Sequence, residues 1–130
     1  MNLRDFIQKN YHYAVVGATT NKEKYGYRVL MDLHGAGFKI VGVNPRYKEI
    51  EGVACYPLLK ALPQKPDVVI FVLPPEVGLK VLAEAAALGI TKAWFQPGAE
   101  SEEICAKAVE LGIQAVADGS CIMVARRQME

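Results

Sequence analysis

Short apolar runs alternate with amphipathic segments along the chain. The apolar runs cover residues 13–17, 39–43, 67–72, 92–95 and 114–117. Each run is almost continuously apolar, without the alternating polar positions of a half-exposed strand. This pattern is typical of strands that are covered on both faces of a parallel sheet. We therefore predict five buried, parallel strands.

The segments between these runs have the spacing of helices. Apolar residues recur at i, i+4 and i+7 in two of them, and residues 77–88 have an apolar side of the same kind. A glycine followed by an apolar residue ends each pattern, as expected where a helix stops in a left-handed residue. These glycines are Gly37, Gly89 and Gly112. We also predict a short helix over residues 58–61 and a leading helix within residues 1–11, ahead of a core over residues 12–125.

This order of elements predicts a single α/β domain over residues 1–130. Its architecture is a Rossmann-like, doubly wound, five-stranded parallel sheet with helices on both faces, because right-handed crossovers leave few alternatives. Such sheets bind ligands beyond the carboxyl ends of their strands, at the point where the strand order reverses. The residues that follow each strand are therefore the candidates for function.

Composition and charge exclude several classes of protein. Hydrophobic residues make up 52% and charged residues 22%, which indicates a globular chain. Lys+Arg is 15 against 14 for Asp+Glu, so the basic surplus that sequence-independent nucleic-acid binding needs is missing. No apolar run reaches the roughly 20 residues of a membrane helix, and the first ten residues do not resemble a signal peptide. Three widely spaced cysteines without a CxxC pair predict a cytoplasmic chain with reduced thiols.

The loop after the first strand has the composition of a pyrophosphate-binding loop. Glycine allows a ligand to approach closely, threonine and asparagine supply short donors, and lysine adds positive charge ahead of a helix N-terminus. An arginine one turn into that helix is placed to reach the same anion. The candidates are Gly17, Ala18, Thr19, Thr20, Lys22 and Arg28. The alternative is an ordinary polar loop, because only the first glycine of the GxGxxG fingerprint is present.

The second strand is followed by cations where a nicotinamide-binding domain usually has an acid. Asn44, Pro45 and Arg46 come directly after this strand, and Lys48 adds a further charge. An Asp or Glu at this place accepts hydrogen bonds from ribose hydroxyls. Arginine and lysine instead favour a phosphate on the ribose.

The residues after the third, fourth and fifth strands include apolar side chains and one cysteine. We expect a stiff apolar surface after the third strand, a donor and a flexible turn after the fourth, and a cysteine beyond the fifth. These residues are Leu73, Pro74, Pro75, Gln96, Pro97, Gly98 and Cys121.

Catalytic residues are not found by the same reasoning. His12 precedes the first strand and His34 ends a helix, so both are expected at the opposite edge of the sheet. Asp118 lies beside the predicted site without an acid or base partner. We assign no catalytic residue and no metal ligand, because a Ser-His-Asp set, clustered metal ligands and a Walker loop are all missing.

Taken together, these strand ends resemble those of the small single-domain CoA-binding proteins, which are similar to the CoA-binding domain of the succinyl-CoA synthetase α subunit. The resemblance lies in residues 16–20, 27–29, 43–47, 52–57, 67–75, 94–98 and 118–122. It implies a Rossmann-like domain that holds CoA across its strand ends. The Gly17–Thr20 loop would hold the pyrophosphate, Arg46 would match the basic residue near the adenosine phosphate, and Cys121 belongs to the closing stretch of the family.

The resemblance implies binding without ligase activity. Succinyl-CoA synthetase needs a further domain with a phosphorylated histidine and a nucleotide-binding β subunit, and nothing in this chain matches that histidine. We therefore expect non-catalytic binding of CoA or an acyl-CoA, and a protein partner or self-association. Two alternatives stay open. One is an NADP-type dinucleotide-binding domain or a remnant of an oxidoreductase, and the other is a redox variant in which Cys121 pairs with the CoA thiol.

Overall fold

A computed structural model describes residues 2–129, which form one mixed sheet with helices on both sides. The strands are His12–Val16 (β1), Lys39–Val43 (β2), Glu49–Ile50 (β3), Val53–Tyr56 (β4), Val68–Phe71 (β5), Lys92–Phe95 (β6) and Gln114–Val116 (β7). The α-helices are Tyr25–Gly35 (α1), Pro75–Ala87 (α2), Glu102–Glu110 (α3) and Ile122–Gln128 (α4). Two 3-10 turns cover Leu3–Asp5 and Leu59–Ala61. No helix among the described residues combines the length and apolar character needed to cross a bilayer.

The order of the strands reverses at β1. Across the sheet it is β3-β4-β2-β1-β5-β6-β7, and all neighbours are parallel except the antiparallel pair β3 and β4. The chain therefore builds outward on one side of β1 and then returns to build on the other side. The crevice where ligands bind in such sheets lies beyond the carboxyl ends of β1 and β5.

Both faces of the sheet are covered, as predicted. Helices α1 and α4 pack on one face, with Leu30, Trp94 and Ile122 fully buried there. Helices α2 and α3 pack on the other face, where Phe71 and Phe95 lie 4.6 Å apart between ring centroids. Burial on both sides explains the continuous apolar runs of the central strands.

The sheet has seven strands in the described part of the chain, so the prediction of five was incomplete. The five predicted strands are confirmed as β1, β2, β5, β6 and β7. The two additional strands form a hairpin, β3–β4, whose turn contains Glu51 and Gly52 with φ of 47° and 87°. Their exposed and buried positions alternate, and β3 has two residues. A search for continuous apolar runs does not detect such strands.

The predicted leading helix is wrong, because the structure has a single 3-10 turn, Leu3–Asp5, in that segment. Phe6 is fully buried, and its ring meets Trp94 edge-on at 6.2 Å. The hydroxyl of Tyr13 donates to the Phe6 carbonyl at 2.6 Å and accepts from the Gln8 amide at 3.0 Å. These bonds occupy backbone groups that a longer helix would need. Burial raises the pKa of Tyr13 to about 12, so its hydroxyl stays protonated.

The other helix predictions were mostly confirmed. Helices α1, α2 and α3 are followed by the three predicted left-handed glycines. The short helix expected over residues 58–61 is the 3-10 turn Leu59–Ala61. Helix α4 was not predicted.

Candidate functional site

Gly17 brings the β1–α1 loop against the end of β5. It has a φ of +98°, and a Cβ built on it would lie 2.1 Å from the carbonyl oxygen of Val72. Its amide donates to the Val43 carbonyl at 3.2 Å. A side chain at this position would thus displace the loop from the crevice, so glycine is required by both conformation and space.

A second glycine, Gly26, fits the first turn of α1 onto the same loop. A Cβ on Gly26 would lie 2.0 Å from the carbonyl oxygen of Gly17. The residue therefore provides the close packing of helix on loop that a later glycine of the dinucleotide fingerprint provides. Gly26 was not predicted, although a glycine inside a helical pattern was an available signal.

Asn44 ties the turn after β2 to the β1–α1 loop. Its Nδ2 donates to the carbonyl of Ala18 at 2.9 Å, and its Oδ1 accepts from the amide of Arg46 at 2.9 Å. Predicted as a ligand-binding residue, Asn44 commits both ends of its amide to the protein. Its observed effect is to fix the two loops relative to each other.

Tyr47 joins the same two loops through its hydroxyl. The phenolic oxygen lies 3.4 Å from Oγ1 of Thr19 and 3.4 Å from Oγ1 of Thr20. These hydrogen bonds, with a smaller effect from the charge of Arg46, lower the pKa of Tyr47. Arg46 is exposed, and its charge effect on Tyr47 places it near the Gly17–Thr20 loop. The strand-end pattern assigned no role to Tyr47, which lies within residues 43–47 of the family resemblance.

The hairpin turn reaches the start of α1 through Glu51. Its carboxylate accepts from the Tyr27 hydroxyl at 2.6 Å, which raises the pKa of Tyr27, and lies 4.0 Å from Nζ of Lys22. Nε of Arg28 donates to the Lys22 carbonyl at 3.4 Å. Lys22 and Arg28 thus lie at the predicted loop. Glu51 was not predicted, because its turn joins two short strands that have no continuous apolar run.

An apolar cavity of about 220 Å³ opens between the ends of β1, β2 and β5. Leu58 and Val77, each 45% exposed, are large apolar side chains at its edge. Such partly exposed apolar groups suit a flat or aliphatic ligand group. The lining residues are Val16, Gly17, Val43, Asn44, Pro45, Pro57, Leu58, Leu73, Val77, Val81 and Glu84.

A second hollow of about 200 Å³ lies beyond Leu73, toward the end of β6. Leu73 lines both spaces, so the two adjoin at this side chain. Pro75 is the first residue of α2. The hollow brings together the predicted residues Leu73, Pro74, Pro97 and Gly98 with Val72 and Ala99.

Gln96 lies at the predicted end of β6, but its side chain is directed to α4. It is 1% exposed; its Oε1 accepts from the Ile122 amide at 2.8 Å, and its Nε2 donates to Sγ of Cys121 at 3.3 Å. Both ends of the amide are therefore used inside the protein, whereas Gln96 was predicted as a donor for the ligand. Cys121 is half-buried and precedes the first residue of α4.

The histidines lie away from this site, as expected. His12 begins β1 and lines a separate cavity of about 330 Å³ at the amino ends of the strands, and His34 is in the last turn of α1. Asp118 accepts from the Ser120 amide at 3.0 Å, and hydrogen bonds from Ser120 lower its pKa. Within residues 2–129, no three potential metal ligands cluster together.

Comparison with known proteins agrees with this geometry. The sequence matches the family described as a CoA binding domain over residues 11–127. Acetate–CoA ligase (ADP-forming) II of Archaeoglobus fulgidus is 35% identical over 105 residues, which make up 78% of this chain and 15% of the ligase. The chain thus spans a small part of the length of such curated relatives.

Solved structures show the same fold. A conserved hypothetical protein from Pyrococcus furiosus is 49% identical, with a TM-score of 0.84 over 88% of this chain and 98% of that one. A Thermus thermophilus protein is 28% identical, with a TM-score of 0.89 over 100% of both chains. Because the family match extends over most of the sequence, the chain belongs to the CoA-binding domain family.

Proposed function

We propose that this protein binds CoA or an acyl-CoA along the carboxyl ends of its strands, without catalysing a reaction on it. The observation that carries the proposal is the joining of the Gly17–Thr20 loop to the Asn44–Tyr47 turn directly beside an apolar cavity. A phosphate-type loop, an exposed arginine and an apolar space occur in one crevice. CoA combines a pyrophosphate, a phosphorylated ribose and apolar parts in one molecule.

Each part of the ligand has a proposed place. The Gly17–Thr20 loop, with Lys22 and Arg28, binds the pyrophosphate through amides, hydroxyls and positive charge. Arg46 binds the phosphate on the ribose. The cavity between Pro45 and Leu73 takes the adenine, and the hollow beside Pro97 and Gly98 takes the pantetheine arm.

The absence of catalysis is part of the proposal. The ligase activity of the longer relatives is not assigned to this chain, which matches 15% of one of them. Both histidines of the sequence lie outside the carboxyl edge. Because longer relatives carry this region within larger ligases, we propose a protein partner or self-association in the cytoplasm. Size-exclusion chromatography with and without CoA tests self-association.

Calorimetric titration tests the role of Arg46. Wild-type protein is expected to bind CoA more tightly than dephospho-CoA, which lacks the ribose phosphate, and Arg46→Ala should remove that preference. Lys39→Ala is the matched control, because Lys39 begins the same strand, β2, whose other end precedes Arg46. Equal binding of the two ligands by the wild type contradicts the role of Arg46, and no binding of either ligand contradicts the proposed function.

One observation favours the redox variant as a second candidate. The Cys121 thiol is half-buried at the same edge of the sheet and accepts a hydrogen bond from Gln96. With CoA disulfide as the oxidant, the Cys121 thiolate would attack one sulfur, form a mixed disulfide and release one CoA thiolate. Intact-mass spectrometry should then show a CoA-sized adduct that dithiothreitol removes. The adduct should be absent in Cys121→Ser and retained in Cys105→Ser; retention in Cys121→Ser excludes the variant.

A further inference from the structure

The phenol of Tyr47 contacts two hydroxyls of the Gly17–Thr20 loop from a different part of the chain. Both oxygen–oxygen distances are 3.4 Å. Tyr47 is half-buried against the core, and its amide donates to the Asn44 carbonyl at 3.3 Å. The phenol therefore approaches the loop from a fixed turn.

The hydrogen bond between Thr19 and Tyr47 can run in either direction, and counting donors and acceptors shows what each direction implies for Thr19. A hydroxyl has one proton and two lone pairs. Thr20 donates to the phenolic oxygen, and the Asn21 amide donates to Oγ1 of Thr19 at 3.2 Å. If the Tyr47 proton is also directed to Thr19, both lone pairs of the Thr19 oxygen are filled. The proton of Thr19 is then left to point away from the protein contacts.

We propose that Tyr47 is a positioning residue that orients the Thr19 hydroxyl to donate its proton to a phosphoryl oxygen of the ligand. This inference rests on the proposed function, since the loop is where the pyrophosphate binds. Thr19 touches the anion, and Tyr47 acts through Thr19. Removing the phenolic hydroxyl leaves one lone pair of Thr19 without a donor, so the Thr19 hydroxyl can rotate and its proton is no longer held toward the ligand.

Calorimetry on substituted proteins tests this role. Tyr47→Phe keeps the ring and removes the hydroxyl, and it is expected to weaken CoA binding about tenfold, as for a lost hydrogen bond to a charged group. Binding of dephospho-CoA should weaken by the same factor, because both ligands carry the pyrophosphate. The control is Tyr11→Phe, in which a hydroxyl is removed just ahead of β1, at the opposite edge of the sheet, and CoA binding should not change.

A double-mutant cycle separates positioning from packing. Thr19→Val should also weaken CoA binding about tenfold, whereas Thr19→Ser should retain most of the affinity because the hydroxyl is kept. The double variant Tyr47→Phe with Thr19→Val should bind about as weakly as Thr19→Val alone, since residues that act through one another are not additive.

Other results would contradict either the positioning role of Tyr47 or the proposed function. Unchanged CoA affinity in Tyr47→Phe, or additive losses near a hundredfold in the double variant, contradicts positioning by Tyr47. If Tyr47→Phe weakens the binding of CoA but not of dephospho-CoA, the effect belongs to the neighbouring Arg46 instead. If the wild-type protein binds neither ligand, the proposed function and this inference both fail, whereas the other outcomes leave the proposed function intact.

Discussion

Gly26 is the residue on which the geometry of the crevice depends most directly. In general, alanine stabilises a helix by about 1 kcal/mol relative to glycine. Here the added Cβ would lie 2.0 Å from the Gly17 carbonyl oxygen, far inside van der Waals contact, and that oxygen belongs to backbone. The clash must be relieved by moving either α1 or the loop.

We therefore expect Gly26→Ala to destabilise the fold by about 1–3 kcal/mol, the usual cost of overpacking, and to weaken CoA binding. Urea unfolding measures the change. Gly35→Ala in the same helix is the matched control, since nothing lies within 4 Å of its Cβ, and it should stabilise the fold by up to about 1 kcal/mol. Equal stabilisation by both substitutions contradicts the close packing of Gly26 on Gly17.

Sequence reasoning located some residues of the crevice and missed others for a physical reason. Gly17 and Arg46 follow strands directly, so the rule for strand ends identifies them. Gly26, Tyr47 and Glu51 take part through contacts with residues nine to 29 positions away. Such contacts depend on how loops fold back, which local patterns do not encode. The roles in ligand binding stay predictions at all of these positions.

The ends of helices α1 and α4 are held together by one ion-pair cluster. Asp32 of α1 accepts from Arg126 of α4 at 3.0 Å and from Arg127 at 2.8 Å. The side chains of Asp32 and Arg126 are 15% and 12% exposed. Burial raises the pKa of Asp32, but the hydrogen bonds and charges of the two arginines lower it more, and the net shift is downward.

The direction of this shift sets a pH dependence. A carboxyl group with a lowered pKa in the folded state stabilises the fold above its unfolded pKa of about 4, and the effect is lost as pH falls through the folded value. Asp32→Asn should therefore destabilise the protein by about 2 kcal/mol at pH 7, and the difference from wild type should shrink below about pH 4.

Thermal or urea unfolding between pH 3 and pH 7 measures this difference. Glu110→Gln is the control, since the Lys107–Glu110 pair is exposed on the surface of α3 and such pairs contribute less than about 1 kcal/mol. A cost of Asp32→Asn that stays constant over the whole pH range argues against a charge interaction at this contact.

Strands that are buried on both faces could be predicted from the sequence, whereas the short peripheral segments could not. The central strands show continuous apolar runs because helices cover both of their sides. The β3–β4 hairpin is short and half-exposed, and the segment around Phe6 is held by the hydroxyl of Tyr13 instead of helical bonds. The apolar spacing of the segment around Phe6 indicated a helix, but tertiary contacts determine the structure of this segment.

The proposed ligand would bridge the two halves of the sheet. One cavity adjoins the ends of β1 and β2, and the hollow adjoins the ends of β5 and β6. These ends come together only when the strand order of the complete sheet is formed. A ligand spanning them has no binding site on the unfolded chain, so its binding free energy adds to the stability of the fold.

Trp94 makes this stabilisation measurable. It is the single tryptophan of the sequence, it is fully buried, and its Nε1 donates to the Ser120 carbonyl at 3.0 Å. Its ring also meets that of Phe6, near the start of the chain. Tryptophan fluorescence should therefore report unfolding of the core, since Trp94 lines neither the cavity nor the hollow at the strand ends.

We expect CoA at about a hundred times its dissociation constant to raise the melting temperature by about 10 °C, because this excess adds about 2.7 kcal/mol. Dephospho-CoA at the same concentration should give a smaller rise, because it lacks the phosphate assigned to Arg46. NADPH distinguishes the other dinucleotide class, since it carries its ribose phosphate without a pantetheine arm to fill the hollow beside Gly98. If NADPH raises the melting temperature and CoA does not, a dinucleotide replaces CoA as the favoured ligand. If no ligand changes the melting temperature, the assignment of a nucleotide to this crevice is wrong.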